Sequence, residues 1–355
     1  YRCFGYMDLE SKRPLTEDAI FRIFSNTKLV TSVALMMLYE EGAFQLKDPV
    51  SKFLPQFANM KVWKDGEEVA AEKQITMHQL LTHTSGLTYG FHKNNPVDAR
   101  YQDDKLLDSK DNSDFIDKLT QIPLLFEPGE RWNYSVASDV LGAVAEKISG
   151  QSYDEFLTQR IFKPLGMKDT FFNVPEEKLA RFATNHYWNP KEKKLGALNE
   201  SAMMNNFTEQ TWFSGGGGLV SSIGDYMKFA EMLRRGGEFN GTRILSPKTV
   251  QYMVMNHLPA TVAASGSGEL SVELVSNFKG TGFGLGFGVM TDPVRSGLLS
   301  SEGTYYWGGA ASTVFWIDPE EDLVAIGMMQ LMGSPWGYRN EMMINTYQAI
   351  EELND

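Results

Sequence analysis

The sequence predicts an α/β fold in which both chain ends build one domain and a helical stretch is inserted between them. Three observations predict it: strand-like alternation near the start, helical periodicity through the middle, and a return to strand patterns over the last hundred residues. The opening Phe4-Gly5-Tyr6-Met7-Asp8-Leu9 is half-alternating and reads as a strand, with Lys12-Arg13-Pro14-Leu15 as a turn. Phe21-Arg22-Ile23-Phe24 alternates again and runs into Ser25. From there the pattern is apolar on nearly every side, through Leu29, Val30, Val33, Ala34, Leu35, Met36, Met37 and Leu38, until Gly42. A helix apolar all round is a buried, central one, and a glycine is its natural end.

The middle reads as helices over 76–81, 113–120, 153–162 and 225–234, with a clear stripe of Val140, Leu141, Val144 and Ile148 closed by Gly150. Four glycines, Gly215 to Gly218, interrupt it. Residues 283–289, 313–317 and 323–326 read as strands, the last two joined by a hairpin turn at Asp318-Pro319-Glu320-Glu321-Asp322. Residues 340–353 close the chain as a helix. The expected division is 1–48 with 235–355 as the α/β domain and 49–234 as the mostly helical insert. The active site is expected in the cleft between them.

Composition narrows the function classes. The chain has 355 residues, 42% of them apolar, enough to bury a core spanning two or three domain-sized units. The net charge is -12, which repels phosphate backbones and anionic lipid and so argues against nucleic acid or a membrane surface as partner. No window reaches the 18 or so apolar residues of a membrane span. The single cysteine, Cys3, excludes an intrachain disulfide and leaves a soluble protein of the cytoplasm or the periplasm open. Five histidines without metal spacing such as H-E-x-x-H give no metal site, and Gly215 to Gly218 lacks the G-K-[ST] that would hold phosphates. No cofactor is expected.

The chemistry-bearing pattern is S-x-x-K. A serine hydroxyl is a poor nucleophile until a base takes its proton. The α/β-hydrolase solution, G-x-S-x-G, is missing; Gly150-Gln151-Ser152-Tyr153-Asp154 lacks its last glycine. Ser25-Asn26-Thr27-Lys28 places serine and lysine three apart at a helix start, on one face. Burial and the positive end of the helix both disfavour a charged lysine, which poises the amine as a base. The motif is short, and a second copy, Ser276-Asn277-Phe278-Lys279, sits in a Ser/Gly-rich stretch that reads as a solvated loop. On spacing alone the blander reading of Ser25 as an N-cap and Lys28 as a solvated first-turn residue is the stronger one.

Ordered phrases along the chain shift that balance. Phe21-Arg22-Ile23-Phe24-Ser25-Asn26-Thr27-Lys28, Leu80-Leu81-Thr82-His83-Thr84-Ser85-Gly86-Leu87, Pro164-Leu165-Gly166-Met167, Gly217-Gly218-Leu219 with Asp225, Phe283-Gly284-Leu285-Gly286-Phe287 and Trp307-Gly308-Gly309-Ala310 follow one another in sequence. The set resembles the β-lactamase-like serine hydrolases, the superfamily of class C β-lactamases and penicillin-binding proteins, and within it the family VIII carboxylesterases. The resemblance implies a mainly antiparallel sheet flanked by helices with an inserted all-helical domain. It also implies a tyrosine facing the serine. Tyr134-Ser135-Val136 fits by position, with Val136 where β-lactamases carry the asparagine that holds a substrate amide. Tyr187-Trp188-Asn189 and Tyr338-Arg339-Asn340 match Y-x-N literally, but their surroundings do not fit.

The family's third motif, K-T-G, reads Trp307-Gly308-Gly309. Without the lysine there is no cation for a β-lactam or D-alanine carboxylate, and Trp307 is expected as an apolar wall. The resemblance implies substrate contacts at Trp307, Gly308, Gly309 and Val136, and an oxyanion hole from the amides of Ser25 and Ala310. His83 is expected as a structural histidine. Relatives usually carry a helix and a strand ahead of the Phe4-Gly5-Tyr6 segment. Since an unpaired edge strand is an aggregation hazard, a segment preceding Tyr1 is expected. The expected function is ester hydrolysis through Ser25, Lys28 and Tyr134 on a small-molecule substrate. The alternatives are β-lactamase or D-amino-acid peptidase activity, acyl transfer, and a catalytically silent binding protein on the same fold.

Overall fold

The computed structural model of the chain describes residues 1–91, 94–198, 206–259, 262 and 280–354. The second S-x-x-K, Ser276 to Lys279, lies outside them. Five strands, Thr281–Phe283, Gly288–Met290, Tyr305–Gly309, Thr313–Asp318 and Leu323–Gly327, form one antiparallel meander in sequence order. The helices Ile223–Arg234 and Tyr338–Tyr347 adjoin this sheet: Tyr226 packs edge-on to Phe315 and Tyr347 stacks on Trp316. The expected domain boundary at 234/235 therefore follows a helix whose partner is the sheet. Its apolar residues Tyr226, Phe229 and Leu233 are buried there.

The stretch 283–289, read as one strand, is two strands and a turn. Gly286 adopts φ +94°, and Gly284 N–H donates to Phe287 O at 2.7 Å. A Cβ at Gly286 would lie 2.0 Å from Ser32 Oγ, so only glycine lets this turn abut the helix that begins at Thr27. The opening strand is Tyr6–Asp8, and among the described residues it pairs with Arg13–Pro14 rather than with the meander. Ile20–Arg22 pairs with Val220–Ser222 and delivers the chain to Ser25.

Helices of the middle span are Met77–Leu81, Pro96–Asp103, Asn112–Leu119, Ala137–Ser149 and Tyr153–Leu157. Thr76 caps the first of these with a full capping box through Gln79. Gly150 ends Ala137–Ser149 in the left-handed conformation, as its position in the sequence predicts. Two hairpins, Lys61–Lys64 with Glu67–Ala70 and His186–Asn189 with Lys194–Ala197, were not legible. Their outer strands are exposed or nearly so along their length, leaving no apolar alternation to read.

One continuous core joins both parts. Its axis is the helix Thr27–Glu40, wedged between Ala137–Ser149 and the sheet, with Leu29, Val30, Val33, Ala34, Leu35 and Met36 fully buried. Each large apolar side chain so buried contributes about 1.5–3 kcal/mol against exposure. Ser25 lies on the single 3-10 turn Phe24–Asn26 that leads directly into this buried helix.

Candidate active site

The site is built outward from that helix. Over residues 19–38 every side chain is buried except Ser25, which stays partly exposed. Phe24 holds the unusual φ of +42° just before it, a strained conformation of the kind retained where a side chain must be aimed. Tyr226 Oη donates to the Asn26 carbonyl at 3.0 Å, and Asn26 Nδ2 donates to Thr313 Oγ1 at 3.2 Å. These bonds fix the turn to the sheet. Asn26 N–H returns to the Ile23 carbonyl and Thr27 N–H to Phe24, so the Ser25 N–H sits ahead of the helical bonds, as the first N–H groups of a helix do.

Lys28 Nζ is buried, 3.3 Å from Ser25 Oγ, 2.7 Å from Tyr89 Oη and 2.5 Å from the Gly216 carbonyl oxygen. The carbonyl can only accept, so one lysine proton is committed there, while both hydroxyls can donate or accept. The amine thus faces the Ser25 and Tyr89 hydroxyls while its bond to the Gly216 carbonyl stays in place. The Tyr134 ring centre lies 4.7 Å from the same nitrogen and the Tyr89 ring centre 5.0 Å. Two phenols thus flank the lysine, and only one of them, Tyr134, was expected.

Behind them stands Asp139, on the first turn of Ala137–Ser149. It accepts from Gly216 N–H at 2.9 Å and from the Ser214 hydroxyl, which in turn accepts at 3.0 Å from Gly217 N–H, the other end of the peptide whose Gly216 carbonyl meets Lys28. Burial pushes the Asp139 carboxyl up, and the Lys28 charge opposes that push. Burial, then Asp139, then Tyr134 push the Tyr89 phenol well above its ordinary value, so it remains a neutral hydroxyl. A Cβ at Gly216 would lie 2.4 Å from Asp139 Oδ2 and 2.8 Å from Tyr89 Oη, which explains a glycine there. The four-glycine run thus marks the loop that delivers a carbonyl to the lysine. Tyr89, Asp139 and Gly216 were missed because they come from three separate stretches with no fixed spacing to Ser25.

His83 is fully buried, with Nδ1 3.1 Å from Ser135 Oγ and its ring 5.1 Å from that of Tyr134. Burial first, and the Lys28 charge second, hold its imidazole well below the ordinary value, so it is neutral. It packs beneath Tyr134 and does not line the cleft.

A cavity of about 350 Å³ opens over Ser25. Phe24, Phe91, Phe207 and Trp212 supply its aromatic walls; Ser25, Tyr134 and Ala310 meet in it. Trp307, Gly308, Gly309 and Val136, expected as substrate contacts, do not line it. Trp307 is 2% exposed and packs on Tyr134 and Phe283 at 5.5 and 5.4 Å between ring centres; Val136 is fully buried at the entrance of Ala137–Ser149. The strand register explains this. Trp307 faces Phe315 inside the meander, and only past the strand end at Gly309 does the chain emerge, at Ala310. Of the two literal Y-x-N tyrosines, Tyr187 lies on the strand His186–Asn189 and Tyr338 begins the last helix; neither lines the cavity.

A serine backed by a lysine on one helical turn, between a helical layer and an antiparallel meander, defines a β-lactamase-like serine hydrolase. The chain belongs to the Beta-lactamase family, whose model matches residues 1–345. It is 33% identical over 335 residues to Protein Rv1367c of Mycobacterium tuberculosis, covering 92% of this chain and 81% of that one. It is 31% identical over 336 residues to Esterase EstB of Burkholderia gladioli, covering 89% and 79%. Among solved structures it is similar to EstCE1, described as a hydrolase with promiscuous acyltransferase activity, with TM-score 0.78, 26% identity and 96% and 87% of the two chains covered.

Proposed function

We propose that the chain is a serine carboxylesterase working through an acyl-enzyme. Ser25 Oγ attacks the ester carbonyl while Lys28, with Tyr134 beside it, takes the proton and returns it to the leaving alcohol. The oxyanion forms against the N–H groups of Ser25 and Ala310. Water then attacks the acyl-enzyme by the reverse path. The observation that carries this reading is the placement of Lys28 Nζ 3.3 Å from the one partly exposed side chain of a buried run, at the floor of an aromatic cavity. The similarity to Esterase EstB supports an ester as substrate. Among the described residues lining the cavity none is Lys, Arg or His, which leaves a carboxylate-bearing β-lactam without a cation.

Hydrolysis of p-nitrophenyl esters of increasing acyl length, beside a chromogenic cephalosporin, tests the reading. Ester turnover that vanishes in Ser25→Ala, with little cephalosporin turnover, is the expected result. Cephalosporin turnover at comparable efficiency would overturn the substrate class. The likeness to EstCE1 favours acyl transfer as a second reading. Adding a primary alcohol to the ester assay separates the two: transfer appears as a new ester at the expense of free acid.

A further inference from the structure

The last helix reaches into the site from behind. Arg339, on its first turn, donates from Nη2 to the Gly309 carbonyl at 2.6 Å and to the Thr313 carbonyl at 3.3 Å. Gly309 O also accepts from Ser312 N–H at 3.1 Å, within the turn that joins the two strands. The carbonyl of Gly309 and the N–H of Ala310 belong to one peptide unit. In a trans peptide the two point in opposite directions. A cation gripping the carbonyl from behind the strand therefore fixes the plane that aims the Ala310 N–H. It also polarises that N–H, because hydrogen bonds at the two ends of one peptide reinforce each other.

The two glycines of Trp307-Gly308-Gly309 have a matching cause. A Cβ at Gly308 would lie 2.9 Å from the Thr313 carbonyl oxygen, the second carbonyl that Arg339 holds, and 3.1 and 3.2 Å from Arg339 Nε and Cζ. A Cβ at Gly309 would lie 2.3 Å from the Ile23 carbonyl, which is where the strand end meets the turn carrying Ser25. The first glycine lies against the Thr313 carbonyl and the arginine bound to it, and the next against the nucleophile's turn. We infer that Arg339 is a positioning residue of the oxyanion hole, its guanidinium seated behind Gly308 and holding the Gly309–Ala310 peptide so that Ala310 N–H faces Ser25. The inference rests on the reading of Ala310 as an oxyanion donor.

The test uses the full chain as Arg339→Gln, Arg339→Lys, Gly308→Ala and the Gly308→Ala/Arg339→Gln double variant. Each is measured for kcat, KM, Tm and inhibition by phenylboronic acid, whose serine adduct is tetrahedral. Weakening one oxyanion donor without removing it is expected to lower kcat about tenfold in Arg339→Gln, at nearly constant KM. Phenylboronic acid should bind more weakly by a similar factor, and Arg339→Lys should recover part of both. Gly308→Ala should show a comparable or larger defect, since its Cβ also meets the Thr313 carbonyl, and adding Arg339→Gln to it should cost clearly less than a further tenfold. Unchanged kcat and unchanged boronate inhibition in Arg339→Gln would overturn the inference, as would a lowered Tm with kcat intact per folded molecule. Ser25→Ala is run alongside. Persistent turnover in that variant would indict the proposed function itself, whereas a dead Ser25→Ala with a fully active Arg339→Gln would sink only the role of Arg339.

Discussion

The two walls of the site are assembled in different ways. The nucleophile wall is local: Ser25 and Lys28 are three residues apart, Ser25 on the 3-10 turn Phe24–Asn26 and Lys28 on the first turn of the helix that follows it, the buried axis of the core. The opposite wall is composite: Tyr89, Tyr134, Asp139, Gly216, Ala310 and Arg339 arrive from distant parts of the chain and meet around the lysine and the strand end. A local pair is held by helix geometry and survives changes elsewhere. A composite wall depends on close approaches, so small substitutions there should reach the lysine without touching it.

The largest effects should fall on the local wall. Lys28→Met should lower kcat/KM by about 10³-fold or more with Tm little changed, read with a short-chain p-nitrophenyl ester, because it removes the base and leaves the serine. A loss under tenfold would show that proton transfer does not pass through the lysine. Next come the two phenols. Tyr134→Phe should cost about 10²-fold, and Tyr89→Phe about tenfold, if Tyr134 shares the proton and Tyr89 orients the amine. The reverse order would make Tyr89, which lies 2.7 Å from Lys28 Nζ, the relay.

Gly216→Ala sharpens the contrast further. Its Cβ would collide with the Asp139 carboxylate and the Tyr89 hydroxyl, so stability should fall by about 1–3 kcal/mol in denaturant unfolding, with activity lost alongside. The smallest kinetic effect is expected at the rim. Phe91, half-exposed and stacked on Tyr89 at 5.0 Å, should on truncation to Ala raise KM severalfold for long acyl chains and leave acetyl esters unaffected.

The pH dependence of stability should mark the composite wall too. His83 is held neutral by burial, its pKa below the usual imidazole value of 6.5. The unfolded chain therefore binds a proton that the folded chain refuses as pH falls through and below 6.5, and stability falls with it. The slope is at most about 1.4 kcal/mol per pH unit for each such histidine. His78 and His257, 3.2 Å apart and also shifted downward chiefly by burial, add in the same direction. A His83→Gln variant should show a shallower fall of Tm between pH 7 and 5 than the parent.

What could be read in the sequence follows the same division. The buried helix, its glycine stop, the Val140 stripe and the meander strands carry strong periodicity, and the S-x-x-K pair sits on one of them. The ordered phrases led to Tyr134 and Ala310, which share the cavity with Ser25. Trp307 and Val136 lie buried and off the cavity lining, because a motif gives position along a strand or at a helix entrance, not which face meets the cleft. Asp139, Tyr89 and Arg339 were illegible for a physical reason: their contacts lie in tertiary approach, and neither spacing nor residue type betrays that Gly216 leaves room for Asp139 and Tyr89 or that Gly308 lies against Thr313 and Arg339.

The most direct test of the Ser25 assignment is covalent. The protein is incubated with a fluorophosphonate or quenched during turnover of a p-nitrophenyl ester, digested, and mapped by mass spectrometry. The expected result is a single adduct on the peptide containing Ser25, absent from Ser25→Ala. An adduct on another residue, or steady ester turnover in Ser25→Ala with no adduct at all, would contradict the account.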